Sequence, residues 1–361
     1  MMFMNTEKLV PKLRFSGFSE NWESIKIGDC LDVKYGKDYK HLNEGKYPVL
    51  GTGGVMEYVD DFLYSGESIL IGRKGTIDKP AYIDGSFWTV DTLFYTEIKN
   101  QFPKFLFYCI SNINWLKYNE ASGVPSLSAN NIKNVKINIP SLIEQKKIAN
   151  FITSIDYKIE LLEKKHKSLV DFKKYLMQQI FSQKLRFNEF DEEWREYRLK
   201  NISTMKYGKM PDKTKITEDS SKFPIYSGFR ILGYYEECNI KKNDLLVTAR
   251  GSGTGYAKLS PADAYLTNLS IAVDVDKNIA SNEFLYYYFE KHSLKYLYSG
   301  SAQPQITIND LRTVKIKIPS IKEQIKIAKV LSNADNKINV IENEIKCVKE
   351  FRHGLLQKMF I

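Results

Sequence analysis

Cysteine is scarce. Cys30, Cys109, Cys238 and Cys347 form no C-x-x-C pair, which argues against a zinc site and a disulfide framework and fits a reducing, cytosolic setting. Histidine is equally sparse: His41, His166, His292 and His353 lack ligand spacing, so structural roles are expected of them, with His166 at a helical seam. No apolar run approaches 18 residues, and Met1 to Lys8 lacks the charged-then-apolar order of a signal peptide. A soluble, cytoplasmic protein without membrane contact is therefore expected. The absence of a G-x-x-x-x-G-K-[ST] loop counts against an ATPase or helicase. Gly251-Ser252-Gly253-Thr254-Gly255 falls short of a dinucleotide fingerprint and lacks a clear following helix. Nothing resembles a nucleophile beside its base.

What is present is basic and doubled. Across 361 residues, 53 Lys and Arg stand against 43 Asp and Glu, a formal net charge of +10. That surplus favours a polyanion or an acidic protein surface as partner. Ile139 to Ser182 overlays Ile318 to Ile361 without a gap, with 17 of 44 positions identical, where average residue usage gives about three. Leu13-Arg14-Phe15 likewise answers Leu185-Arg186-Phe187, Lys34 to Lys37 answers Lys206 to Lys209, and Tyr47-Pro48-Val49 answers Phe223-Pro224-Ile225. The chain contains itself twice.

Each repeated C-terminal stretch reads as a long helix. Pro140 and Pro319 end what precedes, and Ser141 with Glu144, like Ser320 with Glu323, spells a capping box. Ile148, Ile152, Ile155, Ile159, Leu162, Leu169, Leu176 and Ile180 keep a four-three spacing, as do Ile327, Leu331, Ala334, Ile338, Ile341, Ile345, Val348, Leu355 and Met359. Neither helix can hide its stripe alone, so an antiparallel pair with approximate two-fold symmetry is expected. At ~1.5 Å per residue, some 43 residues make a rod of roughly 65 Å.

Ahead of each helix, apolar runs such as Ser68 to Ile71 and Leu245 to Thr248 read as strands, with helices around Pro103 to Ile110 and Asn282 to Tyr298. Val135 to Ile139 and Val314 to Ile318 alternate as strands leading into the long helices. The fold class is α+β: two mixed α/β domains separated by two long antiparallel coiled-coil helices, with a pseudo-two-fold internal repeat. The boundaries are 1–139, 140–184, 185–317 and 318–361.

A basic protein holding two loop-bearing units at a set separation suits duplex DNA, of which ~65 Å spans on the order of 19 base pairs. Arginine can clasp guanine with two hydrogen bonds while lysine neutralises phosphate. Arg73, Lys74 and Arg250 are the first candidates for DNA contact, with Gly75 and Gly251 letting the main chain approach the groove. Lys34, Tyr35, Lys37, Lys206, Tyr207 and Lys209 come next, followed by Ser122, Ser126, Ser301, Gln303 and Gln305. A solvated turn is the competing account of each, on equal footing for the lysines; for Arg73 and Arg250 function is preferred.

The order Pro125-Ser126-Leu127, a strand ending Ile139-Pro140, then Glu144-Gln145 and Ile148 on a long helix is repeated from Pro304 through Glu323-Gln324 to Ile327. It resembles the specificity subunit of type I restriction-modification enzymes, and the glycine-flanked arginines Arg73 and Arg250 resemble that family's too. The resemblance implies two target-recognition domains with helical spacers and a non-catalytic subunit that reads a bipartite site on double-stranded DNA. It also implies that two modification methyltransferase subunits dock on the helices and that two restriction-translocase subunits complete the nuclease. The chain would need no cofactor of its own, S-adenosylmethionine, ATP and Mg²⁺ belonging to those partners. The first copy departs with Val124-Pro125 where the second has Gln303-Pro304, and the recognition domains otherwise diverge, so unlike half-sites are expected.

Two other readings stay open. One is a stand-alone DNA endonuclease using Asp91, Glu97 and Lys99, although the second copy has Asn268, Asp274 and Asp276 there. The other is a coiled-coil scaffold whose globular units bind protein.

Overall fold

The computed structural model describes residues 9–361 except 229, 252 and 299–303. Its longer helices are α1 (Pro103–Ser111), α2 (Leu142–Phe181), α3 (Asn282–Lys291) and α4 (Ile321–Met359). None of the described helices is long and apolar enough to cross a membrane. The chain forms two compact units. Unit 1 takes the chain up to Glu163 together with Asn343–Ile361, and unit 2 is Lys164–Glu342. Each unit thus contains one half of α2 and the opposite half of α4.

Inside each unit the two half-helices run antiparallel. In unit 1, Asp156 pairs with Arg352, Lys158 with Glu344 at 3.0 Å and Glu163 with Lys349 at 2.6 Å. In unit 2, Lys173 reaches Asp335 at 2.7 Å and Glu290 at 2.9 Å. The exposed pairs of unit 1 set register more than stability, whereas Lys173 in unit 2 is buried between its two carboxylates. The buried part of the expected stripe does the holding: Ile148, Ile152, Ile155 and Ile159 share a core with Leu355 and Met359, and Ile180 shares one with Ile327 and Leu331. Tyr108 donates to Asp156 at 2.7 Å and Tyr287 to Asp335 at 2.8 Å, docking α1 and α3 onto the helix pair. Burial first, then the carboxylate, pushes both phenols above their ordinary pKa.

Three aromatic rings close each core. Phe360 stacks on Phe105 at 5.4 Å, with Trp22 edge-on at 6.0 Å from Phe105. In unit 2 Phe181 lies 5.7 Å from Phe284, with Trp194 at 6.0 Å from Phe284. The ring at the end of each long helix therefore seals the core opposite to the one where that helix began.

The expected glutamate caps are instead turned inward. Glu144 is 1% exposed and accepts both Nε and Nη2 of Arg14 at 2.8 Å, while Glu323 takes Arg186 at 2.9 Å through both atoms. These glutamates stand one turn before Ile148 and Ile327, on the helix face that packs, where only a guanidinium could compensate the charge. The following glutamines finish the tie. Gln145 accepts from Phe102 N–H at 3.1 Å and donates to Pro140 O at 2.9 Å; Gln324 accepts from Ser281 N–H at 3.0 Å and donates to Pro319 O at 2.9 Å.

One site differs between the repeats in volume. Phe151 stands edge-on to Phe15 at 5.5 Å in unit 1, but the matching Val330 leaves an apolar hollow of about 100 Å³ beside Phe187, Trp194 and Ile327. Val330→Phe should fill it with a ring the other copy already accommodates, stabilising unit 2 by about 1 kcal/mol. A thermal melt in which the unit 2 transition fails to rise would contradict this.

Unit 1 carries β1 (Leu31–Tyr35), β2 (Glu44–Gly51), β3 (Gly54–Val59), β4 (Tyr64–Gly72), β5 (Ala81–Thr89) and β6 (Leu93–Ile98). They form one sheet in the order β1-β6-β4-β5-β2-β3, with β2 and β5 its one parallel pair. Unit 2 carries β7 (Ser203–Tyr207), β8 (Phe223–Ser227), β9 (Arg230–Tyr235), β10 (Leu245–Thr248), β11 (Ala257–Leu259), β12 (Tyr265–Leu266) and β13 (Ser270–Val275). These split into β7-β13-β10-β11 and β9-β8-β12. The single strand β5 has become β11 and β12, because Pro261 between them cannot donate to a ladder. The helix expected through Tyr298 also breaks: α3 ends at Lys291, and Ser293 caps a separate turn, Leu294–Leu297. His292 at the break packs against Tyr288 and Phe181, and burial lowers its pKa.

Candidate nucleic-acid interface

In unit 1 the candidate loop follows β4. A Cβ on Gly72 would lie 2.1 Å from Thr76 O, so the chain can double back this tightly only at glycine. The next residues are stitched down: Arg73 and Lys74 N–H both donate to Thr92 O, at 2.8 and 3.2 Å, and Gly75 N–H donates to Pro125 O at 2.8 Å. Leu127 N–H returns a bond to Arg73 O at 2.9 Å, and Lys74 bridges Ser126. Asn119 Oδ1 in turn accepts from Ala121 and Ser126 N–H, at 3.1 and 2.9 Å. The turn holding Ser122, which is exposed, is thereby fixed beside the loop.

The guanidinium of Arg73 lies 5.4 Å from the ring centre of Tyr35 and donates one bond to Asp91 O at 3.1 Å. Tyr35 is itself braced edge-on by Phe94 at 5.1 Å. Arg73 is thus held in place with most of its five donors unspent. Lys74 and Lys37 are exposed, whereas Lys34 pairs with Glu97 at 3.1 Å, which raises its pKa.

Unit 2 repeats the stitching with different residues. Ala249 and Arg250 N–H donate to Leu269 O at 2.9 and 3.4 Å, Ile306 N–H donates to Ala249 O at 2.9 Å, and Arg250 bridges Gln305. Thr254 Oγ1 ties Gly251 O and Pro304 O at 2.7 and 3.0 Å. By this register Arg250 is the counterpart of Lys74, and the place of Arg73 is taken by the buried Ala249. The hydrogen bonds thus set Arg73 against Ala249 and not against the arginine of the second loop. Gly75 and Gly251, at φ +89° and +95°, are matched, and the left-handed backbone accounts for both.

Lys206, Tyr207 and Lys209 edge a concavity of about 280 Å³ whose far wall includes Glu237, Cys238 and Asn239. Tyr207 Oη accepts Ile308 N–H at 3.2 Å, a bond that anchors the segment after Gln305. Ser301 and Gln303 lie outside the described residues.

Asp91, Glu97 and Lys99 are drawn apart by other partners. Lys99 binds Asp32 at 2.7 Å and Glu97 binds Lys34, while Asp91 meets Arg73 through its carbonyl. Among the described residues, no three His, Cys, Asp or Glu gather as metal ligands. Two features escaped the sequence. One is a polar hollow of about 550 Å³ lined by Arg198, Lys200 and Arg312, the last too far along the chain from the first two to signal it. The other is a pair of exposed apolar hairpins.

A protein-family model described as the type I restriction modification DNA specificity domain matches the chain twice, over residues 19–170 and 191–350. The chain is 24% identical to the MjaVIII type I restriction enzyme specificity subunit of Methanocaldococcus jannaschii, with 93% of this chain and 91% of that one covered. It is 26% identical to the EcoprrI type I restriction enzyme specificity subunit of Escherichia coli, with 80% and 75% covered. In fold it is similar to the crystal structure of the type I restriction-modification system S subunit from M. genitalium, with a TM-score of 0.76, 21% identity, and 98% and 99% covered. Because the double match spans most of its length, the chain belongs to the type I restriction modification DNA specificity family.

Proposed function

We propose that the chain reads a two-part site on double-stranded DNA, one half with each unit, and contributes no catalytic group. The observation that carries this is the loop that recurs in both units, stitched to its neighbours by the same backbone bonds and presenting an exposed cation, Lys74 in one and Arg250 in the other. Sharing one scaffold but not its side chains, the two loops suit unlike half-sites. The net charge of +10 supplies the sequence-independent attraction.

Two modification methyltransferase subunits and two restriction-translocase subunits are the proposed partners, with S-adenosylmethionine, ATP and Mg²⁺ bound by them. Support for docking on the helices comes from large apolar residues left exposed there. Leu161 and Phe351 are 47% and 56% exposed in unit 1, and their repeat counterparts Val340 and Phe172 are 64% and 53% exposed in unit 2.

Selection of duplexes from a random pool, followed by titration against salt, tests the reading. Arg73→Ala and Arg250→Ala should each lose about 10- to 100-fold of base discrimination, in one half-site only. Lys74→Ala should weaken all sequences alike and reduce the salt slope by about one. Binding indifferent to salt would favour a protein scaffold. Plasmid cleavage by the chain alone, abolished by Asp91→Ala, would favour a nuclease.

A further inference from the structure

Beside each candidate loop stands a β-hairpin carrying two successive apolar residues into solvent. In unit 1, β2 and β3 turn through Thr52 and Gly53, Gly51 facing Gly54 and Leu50 facing Val55. Val55 and Met56 are 54% and 58% exposed. In unit 2, β8 and β9 set Ser227 against Arg230 and Tyr226 against Ile231, and Ile231 and Leu232 are 53% and 50% exposed. The two registers make Val55 the counterpart of Ile231 and Met56 that of Leu232. The side chains differ between copies, but their apolar nature and exposure do not.

The register slips by one residue here in each ribbon, between Val49 and Leu50 and between Pro224 and Tyr226, so strict alternation does not hold at Met56 and Leu232. Every residue from Gly54 to Tyr58 of β3 and from Arg230 to Leu232 of β9 is nevertheless exposed, so the ribbon is uncovered at this point. β3 and β9 are also edge strands of their sheets, where an uncovered apolar ribbon invites aggregation unless something occupies it.

The position of the hairpins limits what that is. A Cβ on Gly75 would lie 3.7 Å from Thr52 Oγ1, and one on Gly228 would lie 3.5 Å from Thr248 Cγ2. Each turn thus abuts the loop that carries Lys74 or the strand that leads to Arg250. Arg230 at the second turn is exposed. Cations suited to phosphate therefore flank apolar groups on a two-stranded ribbon, and a ribbon of that kind fits the major groove, where the thymine methyl is the apolar mark of sequence.

We propose that the two hairpins enter the major groove, one per half-site, and that Val55 with Met56 and Ile231 with Leu232 recognise thymine methyl groups. This rests on the DNA reading proposed above and adds specificity-determining residues to it.

The test uses the full chain assembled with its modification subunits and a pool of short random duplexes, selected in parallel with the wild type and with the V55S/M56S and I231S/L232S variants. The selected duplex is then rebuilt with uracil in place of each thymine in turn. V55S/M56S should lower the preference for thymine about tenfold at one or two positions of one half-site, and I231S/L232S should do so in the other. Uracil at those positions should weaken the wild type by a similar factor and leave the matching variant unaffected, with the salt dependence of non-specific binding unchanged. Since all four positions are exposed, melting temperatures should stay at the wild-type value. Unaltered motifs in both folded variants would overturn the proposal. So would unaltered motifs with lost co-purification of the modification subunits, which would assign the hairpins to protein. A wild-type complex that selects no motif would sink the DNA reading itself, and this proposal with it.

Discussion

A chain ending at Gly354 should lose the fold of unit 1 while unit 2 keeps its own. The cut removes Leu355, Leu356, Met359 and Phe360, all members of the unit 1 core and none more than 9% exposed. It also removes the carbonyl of Lys358, which accepts Leu13 N–H at 2.9 Å. Loss of one large buried apolar side chain costs about 2–5 kcal/mol, and domains are stable by only about 5–15 kcal/mol. Four such losses exceed what unit 1 can bear. Hydrogen exchange would show it: peptides around Trp22 and α1 should exchange as in the unfolded chain, and those around Trp194 and α3 should stay protected. Loss of protection first in unit 2, the nearer unit in sequence, would refute the assignment of α4 to the two cores.

The second large effect concerns the buried ion pairs, and there the two partners should differ. Arg14 is 13% exposed and Glu144 1%. Arg14→Ala leaves a carboxylate buried without compensation and should cost unit 1 about 3–5 kcal/mol. Glu144→Gln leaves a guanidinium that can swing toward water and a side chain that still hydrogen-bonds, so about 2 kcal/mol is expected. Arg186→Ala and Glu323→Gln should rank the same way in unit 2, where the exposures are 22% and 1%. Urea unfolding resolves the order, and a glutamine variant less stable than its alanine partner would contradict it. Removing both charges, as in Arg14→Met with Glu144→Leu, should recover most of the loss.

Much of this was legible in the residues. The duplication, the antiparallel pairing and the long helices follow from spacing, because a stripe of isoleucine and leucine can be buried in few ways. The Glu-Gln dyad was visible but misread: a glutamate three residues after a serine spells a cap, and only the arginine far upstream turns it inward. The candidate loops were found, but their register was not. The offset between copies grows from 172 at Lys34 and Lys206 to 179 at Ser126 and Gln305, and insertions placed inside loops leave no apolar period to mark them. Only the bonds to Thr92 and Leu269 establish that Lys74, not Arg73, answers Arg250. The hairpins were missed for a related reason. Two adjacent apolar residues read as core unless their neighbours in space are known.

The exchange of helix ends also bears on how the protein is made. A ribosome emits the residues of unit 1 first, yet Phe360 and its neighbours, which that unit needs for closure, emerge after all of unit 2. The half translated earliest is therefore completed latest, and until then its apolar core stays open.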